Sequence, residues 1–296
     1  MNKKFVSIIS TVIIITSLTA GQVPEFNSQR AFKHLQKQCS FGPRTPGSKA
    51  HKLCQDYIVT HLKKCSADVS LQPFPFKNPI TGKTYILNNI IARFGKGTDR
   101  ILLCAHWDTR PWADMDNKKE NRNKGVPGAN DGASGTGTLL EIASIFRQNP
   151  PPVGVDLVFF DGEDSGSYGD NDSWCQGSQY FAKNLGSVNY KYAILLDFVG
   201  DKDLHFPVEY FSNQFSKNLV DMVWSKAEEL GLYPFDRTPG PQVLDDHMPL
   251  IKAGIPALDI IDFEYPYYHT TEDTPDKCSP ESLGIVGTLL LHLIYE

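Results

Sequence analysis

Five apolar runs of strand length alternate with stretches of helical period, and this alternation limits the possible folds more than any other feature of the chain. The runs are Tyr85–Phe94, Ile101–Ala105, Val155–Phe160, Ala193–Val199 and Ile255–Ile261. Apolar residues recur at helical spacing in Ser28–Gln38, Ser48–Cys65, Ala133–Arg147, Gly177–Leu185, Ser212–Leu230 and Pro280–Ile294. Strands separated by helices join a sheet mostly in parallel, so the order predicts an α/β fold with a twisted, mixed but mostly parallel central sheet. The runs are apolar at consecutive positions, which requires helices on both faces and hence three layers, α/β/α. A chain of 296 residues fits one large domain of this kind. No repeat or low-complexity linker divides it, so residues 22–296 are expected to form a single α/β domain.

The first 21 residues read as an export signal. Asn2-Lys3-Lys4 is basic, Phe5 to Leu18 is apolar apart from Ser and Thr, and Thr19-Ala20-Gly21 supplies small residues for cleavage. The apolar run is shorter than the roughly 20 residues of a spanning helix. The expected product is therefore periplasmic or secreted, with no stable membrane insertion after cleavage; it is separately expected to be a monomer. Net charge is −5 without a dense Lys/Arg stripe, which argues against a nucleic-acid partner. Six cysteines in an exported chain predict some disulfides. Cys54 and Cys65 would lie on one helix, separated far beyond disulfide reach at about 1.5 Å per residue. Cys104 falls inside an apolar strand and reads as a buried thiol, leaving Cys39, Cys175, Cys278 and one helix cysteine as bridge candidates.

The chemistry is carried by the residues just beyond the strand ends. Ile101–Ala105 runs into His106-Trp107-Asp108. The next loop ends in Asn130-Asp131, before the helix opened by Gly132-Ala133-Ser134-Gly135. Val155–Phe160 runs into Asp161-Gly162-Glu163-Asp164, Ala193–Leu196 into Asp197, and Ile255–Ile261 into the loop bearing His269. Open α/β sheets bind ligands at this edge. Buried carboxylates and imidazoles are costly unless they pair or hold a cation, so their gathering at one edge points to a metal. Nitrogen and oxygen donors suit zinc, whereas calcium prefers more oxygens and no His. Asp131, Asp164 and His269 would supply three ligands and leave the fourth position for substrate. Glu163 precedes Asp164, and adjacent residues point different ways, which frees it to act as general base and acid.

Plainer readings exist for single residues. Asp131 can be the cap of the next helix, Asp161 a turn residue, Asp197 a hydrogen-bonded buried acid, and Asp246 an N-cap. His34, His51, His61, His205 and His292 fall in helical or loop contexts, are expected to lack acidic partners, and read as surface or packing residues. Trp107, Trp112, Trp174, Phe263 and Tyr267 lie in the site-side loops and are candidates for the walls of a small pocket. There is no G-x-S-x-G elbow, no H-E-x-x-H, and no phosphate-loop Lys in Gly125–Gly137.

Ala105-His106-Trp107-Asp108-Thr109-Arg110-Pro111, Gly128-Ala129-Asn130-Asp131-Gly132-Ala133-Ser134-Gly135 and Phe160-Asp161-Gly162-Glu163-Asp164 occur in that order. Leu196-Asp197-Phe198-Val199-Gly200, Asp245-Asp246-His247 and Tyr268-His269-Thr270 come after them. In these motifs the chain resembles the zinc aminopeptidase-like superfamily, and within it the glutaminyl-peptide cyclotransferases. The resemblance covers nearly the whole mature chain. It implies the aminopeptidase-like fold, one zinc ion on Asp131, Asp164 and His269, and Glu163 as proton shuttle. It also implies an acidic network of Asp197 and Asp245 supporting catalysis. Its expected substrates are peptides or proteins that begin with Gln, cyclised to pyroglutamate with release of ammonia. The expected pocket contains Trp107, Trp174, His106 and Phe263. The animal cyclases carry Glu-Glu where this chain has Glu163-Asp164. The rival expectation is a two-zinc aminopeptidase, because His106 and Asp197 match second-metal positions there.

Overall fold

Successive side chains of a strand face opposite sides of its sheet, and the buried residues of this protein divide accordingly. The computed structural model describes residues 22–66, 68–79 and 81–296, and the expected export signal lies outside them. The elements are α1 Ser28–Cys39, α2 Lys49–Cys65, β1 Asp68–Lys77, β2 Thr84–Phe94, β3 Asp99–His106, α3 Ala133–Gln148, β4 Gly154–Phe160 and α4 Gln176–Lys183. They continue with β5 Asn189–Asp197, β6 Phe206–Val208, α5 Tyr210–Glu229, β7 Phe235–Pro239, α6 His247–Lys252, β8 Ala257–Ile261 and α7 Pro280–Tyr295. In β3, Ile101, Leu103 and Ala105 enter a large core with Leu35, Leu62, Leu139, Trp224 and Leu290, from α1, α2, α3, α5 and α7. Leu102 and Cys104 enter a smaller core with Phe181 of α4 and Leu250 of α6. The result is a three-layer α/β/α arrangement.

The strand order is β1-β2-β4-β3-β5-β8. β4, β3, β5 and β8 run parallel, while β2 pairs antiparallel with both β4 and β1. The sheet is thus mixed and mostly parallel. The C-terminal ends of its four parallel strands open onto one rim. Among the described residues no helix is long and apolar enough to cross a membrane.

Three strands escape a periodicity reading. β1 is mostly exposed and carries Pro73 and Pro75, which an edge strand tolerates because its outer N–H positions need no partner. β6 and β7 form a two-stranded sheet outside the five apolar runs. α5 begins at Tyr210 rather than Ser212, because the Glu209 carboxylate accepts from Phe211 N at 2.9 Å and Ser212 N at 2.6 Å and caps the helix there.

The expected disulfides are absent: all six cysteines are free. Packing takes up several of the bridge candidates. Cys54 and Cys278 are buried in the large core, and the Cys175 thiol donates to Glu163 Oε1 at 3.6 Å. Titration of the unfolded, unreduced protein with a thiol reagent should therefore find six thiols, and a count of four would establish a bridge.

A polar contact also spans the sheet interior. Arg100 Nε lies 2.6 Å from Asp156 Oδ1, and the Tyr190 hydroxyl donates to Asp156 Oδ2 at 2.6 Å. Without Arg100, the buried Asp156 keeps only the part-exposed Arg93, 3.5 Å away, as a cation. Arg100→Leu should lower the unfolding free energy by about 3–5 kcal/mol in urea melts, and an unchanged midpoint would refute this role for the pair.

Candidate metal and catalytic site

His106 is the last residue of β3 and pairs in register with Phe160, the last of β4. Asp197 ends β5 opposite Ile261 of β8. Glu163 and Asp164 stand just beyond β4, Asp131 just before α3, and His269 in the loop after β8. All of these side chains therefore start from the same rim. Gly132 has φ +87°, and a Cβ there would lie 2.7 Å from Asp108 O and 3.0 Å from His106 Cε1. Only glycine lets the Asp131 turn pass this close to the end of β3.

The structure brings Asp131, Asp164 and His269 together, with one ligand atom from each within 4.8 Å of the others. His269 Nε2 lies 3.0 Å from Asp164 Oδ1 and 3.7 Å from Asp131 Oδ2. Four-coordinate zinc with bonds near 2.1 Å sets its ligand atoms about 3.4 Å apart. Asp131 Oδ2 and both Asp164 oxygens are buried without a hydrogen-bond partner, as expected for a donor set aimed at a cation. Burial lifts the Asp164 carboxyl to about 7 and also raises Asp131, with each acid repelled by others close by. Burial pushes His269 down to about 3 and keeps its ring neutral, as a metal ligand requires. Its other nitrogen, Nδ1, has the Tyr168 hydroxyl at 3.2 Å and Asp114 at 3.7 Å.

A second group of acids surrounds His106. Its Nε2 lies 3.1 Å from Asp131 Oδ1 and 3.2 Å from Asp197 Oδ1, and its Nδ1 is 3.6 Å from Asp108 Oδ1. Burial opposes charge on this ring, yet the surrounding acids Asp108, Asp131 and Asp197 outweigh it and hold the imidazole well above its usual range.

Glu163 points away from Asp164. One of its carboxylate oxygens falls within 4.8 Å of Cys175 Sγ and an Asp245 oxygen. Burial above all raises its carboxyl well above the ordinary range; His106 opposes this, and Asp164, Asp245 and Asp246 add to it. Glu163 keeps 9% of its surface exposed, while Asp164 keeps none. Its exposed part faces a pocket of about 200 Å³ that Asp131, Asp197, Asp245 and His269 also line.

The pocket walls correct part of the sequence expectation. Trp174 and Phe263 line the pocket, joined by Tyr168, Phe198, Val243 and Tyr268. Trp107 does not line it: the indole is wholly buried and stacks on His51 with centroids 4.3 Å apart. His106 lies beneath the pocket among its acids, and Trp112 and Tyr267 are likewise not in the walls. Three histidines expected to lack acidic partners have them. His51 Nε2 is 2.8 Å from Asp161, His205 meets Asp236 and Glu264, and His292 lies 3.1 Å from Glu296. The partners are remote in sequence for His51 and His205, so no local pattern could reveal them.

Several supporting residues also went unread in the sequence. The Asp108 carboxylate accepts from Glu163 N at 3.1 Å and Asp164 N at 3.4 Å, and so fixes that corner. Asp273 accepts from Asn130 N, Asp131 N and the Tyr265 hydroxyl. Arg44, fully buried, donates to the carbonyls of Trp107, Pro127, Gly128 and Asp131. Asp246 is not an N-cap by its side chain; its Oδ1 accepts from Ser178 Oγ at 2.5 Å. Among the described residues three non-glycines have left-handed backbone, Cys175 (φ 54°), Phe198 (φ 49°) and His269 (φ 52°), and all three border Glu163 or its pocket. Such strain costs roughly 1–3 kcal/mol per residue and gathers at functional sites.

Comparison with known proteins identifies the family of the chain. Residues 89–294 match peptidase family M28. The glutaminyl-peptide cyclotransferase-like protein of Mus musculus is 27% identical over 288 residues, covering 86% of this chain and 72% of the mouse protein. The structure of Bacteroides thetaiotaomicron glutaminyl cyclase bound to N-acetylhistamine matches with a TM-score of 0.90 at 36% identity, over 93% of this chain and 99% of that one. A Zn-dependent exopeptidase from Parabacteroides distasonis also reaches 0.90, at 37% identity over 93% of this chain and 100% of that one. By the match over residues 89–294 and by this shared fold, the chain belongs to peptidase family M28, with glutaminyl-peptide cyclotransferases among its relatives.

Proposed function

We propose that this protein is an exported, zinc-dependent glutaminyl-peptide cyclotransferase, which converts the N-terminal Gln of peptides to pyroglutamate and releases ammonia. The observation that carries the reading is the convergence of partnerless Asp131 and Asp164 oxygens on neutral His269, beside a reachable Glu163. Relatives named as glutaminyl cyclases support the choice of reaction. One zinc ion would be held by Asp131, Asp164 and His269. Bound there, it would polarise the γ-amide carbonyl of the substrate and offset the charge that gathers on that oxygen.

The protein's own residues supply the rest. A pocket of about 200 Å³ walled by Trp174, Phe263 and Tyr268 holds one side chain away from water. Asp197 and Asp245 line it and favour the substrate's amino end. The Glu163 carboxylate accepts a proton from the α-amine as its nitrogen bonds to the γ-carbonyl carbon. Glu163 then returns that proton to the departing nitrogen, the carbon–nitrogen bond of the side-chain amide breaks, and ammonia leaves. Nucleophile and carbonyl belong to one residue, so holding them in a folded conformation contributes much of the rate.

A second reading, a two-zinc aminopeptidase, is favoured by the group His106, Asp131 and Asp197, whose donor atoms also lie within 4.8 Å of one another. Relatives named as glutaminyl-peptide cyclotransferases weigh toward the first reading, and the zinc count separates the two.

Mass spectrometry of a Gln-initiated peptide tests the reaction. The wild type should yield a peptide short of one ammonia, and Glu163→Gln should slow this by roughly 10²–10⁴-fold. Equal rates would remove Glu163 from the reaction, and release of free amino acid would favour the peptidase. Elemental analysis should find one zinc per wild-type chain and a deficit in Asp131→Asn; two zincs per chain would support the rival. The carboxylate form of Glu163 takes the first proton, and its pKa is raised. The logarithm of kcat/KM should therefore fall as pH drops through a value above 4.5, and a profile flat down to that value would contradict the assignment.

A further inference from the structure

The groove beside the pocket has an unassigned chemical character. It encloses about 490 Å³ and shares Asn171, Trp174, Leu244 and Asp245 with the pocket as common walls. Its other walls are α4 and α6. Both helices start at the site: Cys175 before α4 touches Glu163, and Asp245 before α6 lies within 4.8 Å of both. They end in Lys183 and Lys252, which also line the groove and are exposed. Neither lysine forms an ion pair among the described residues. The acids of the groove, Asp172 and Asp245, precede the two helices. The groove is thus acidic at its pocket end and basic at its far end.

Resting on the cyclotransferase reading, we propose that this groove is the binding site for the substrate chain beyond its N-terminal Gln, and that it selects peptides with acidic residues downstream. A substrate whose first side chain fills the pocket must carry the rest of its chain out, and the shared walls put the groove directly beside it. At about 1.5 Å per residue, Lys183 and Lys252 stand roughly 10–12 Å along their helices from the site. An extended peptide covers about 3.3 Å per residue, so these ammonium groups meet the third or fourth residue after Gln. Exposed charge pairs contribute about 0.2–1 kcal/mol each, so the preference is graded and salt-sensitive.

The test compares kcat/KM for ammonia release from Gln-Ala-Ala-Glu-Glu and Gln-Ala-Ala-Lys-Lys, with glutamine amide as the reference substrate. At low ionic strength the acidic peptide should be preferred by about three- to tenfold, and the preference should shrink as salt rises. The double variant Lys183→Glu/Lys252→Glu should invert it. Because each ratio is taken within one protein, any general loss of activity cancels. Turnover of glutamine amide with a ratio near one in the wild type, or a ratio unmoved by charge reversal, overturns the subsite and leaves the cyclotransferase intact. No ammonia from glutamine amide overturns the cyclotransferase reading and this inference with it.

Discussion

Charge compensation at the C-terminal rim of the parallel strands is the constraint on which the site depends. Asp108, Asp131, Glu163, Asp164, Asp197, Asp245 and Asp246 are all buried there. Two like charges 4 Å apart cost about 4 kcal/mol even at an effective dielectric of 20. Such a cluster survives only if protons, cations or N–H donors are distributed through it. Each means is used. Burial keeps Glu163, Asp197 and Asp246 well above their usual carboxylate range and so favours their protonated forms. His106 lies between three acids, which raise its imidazole well above its usual range. Arg110 lies 3.7 Å from Asp164 Oδ1 and is itself paired with Asp114. Asp131 and Asp164 keep oxygens without partners, and there the proposed zinc would complete the balance.

Holding the donors requires that the loops bearing them be fixed to one another. Most of the ties run through the backbone. Asp108 grips the N–H groups of Glu163 and Asp164, Asp273 those of Asn130 and Asp131, and Arg44 fills the carbonyls on the other side of the Asp131 turn. Charge-assisted bonds of this kind contribute about 1.5–3 kcal/mol each, comparable to the cost of the left-handed conformations of His269 and Phe198. The strain sits on residues that face the pocket, and the ties between the loops lie behind them.

This division explains what the sequence discloses. The core strands and six of the helices are legible because burial on both sheet faces leaves consecutive apolar runs, and packing helices leave a 3.6-residue period. β1 is not, because an exposed edge strand needs neither pattern and admits Pro73 and Pro75. The residues that converge on His269 are legible by their position after strands. The roles of Arg44, Asp273 and His51 are not: each acts on partners 60 or more positions away, and nothing local marks them. Trp107 misleads for a related reason. It stands between two site residues, but its backbone still continues β3, its N–H donating to Phe160 O, and the pleat sends the indole inward against His51. The disulfide expectation rested on compartment and composition, which are silent on whether a thiol already has a place in the packing.

Cys175 shows how geometry and charge together select among readings of one cluster. Glu163, Cys175 and Asp245 have donor atoms at metal-ligand spacing, yet a thiol binds metal as its thiolate. Burial and the adjacent acids hold Cys175 well above its usual range, so it stays protonated. A protonated thiol is a weak donor, and here it donates to Glu163 Oε1. Its left-handed backbone and its N–H bond to Glu163 O fix the donor relative to the acid it serves. Two consecutive residues thereby face different environments: Asp164 the imidazole of His269, and Glu163 a neutral thiol, Asp245 and the pocket. In the proposed reaction this separation is what matters. A shuttle must take its proton as readily as it releases it, and a carboxylate bound to a doubly charged ion would be too weak a base to take it.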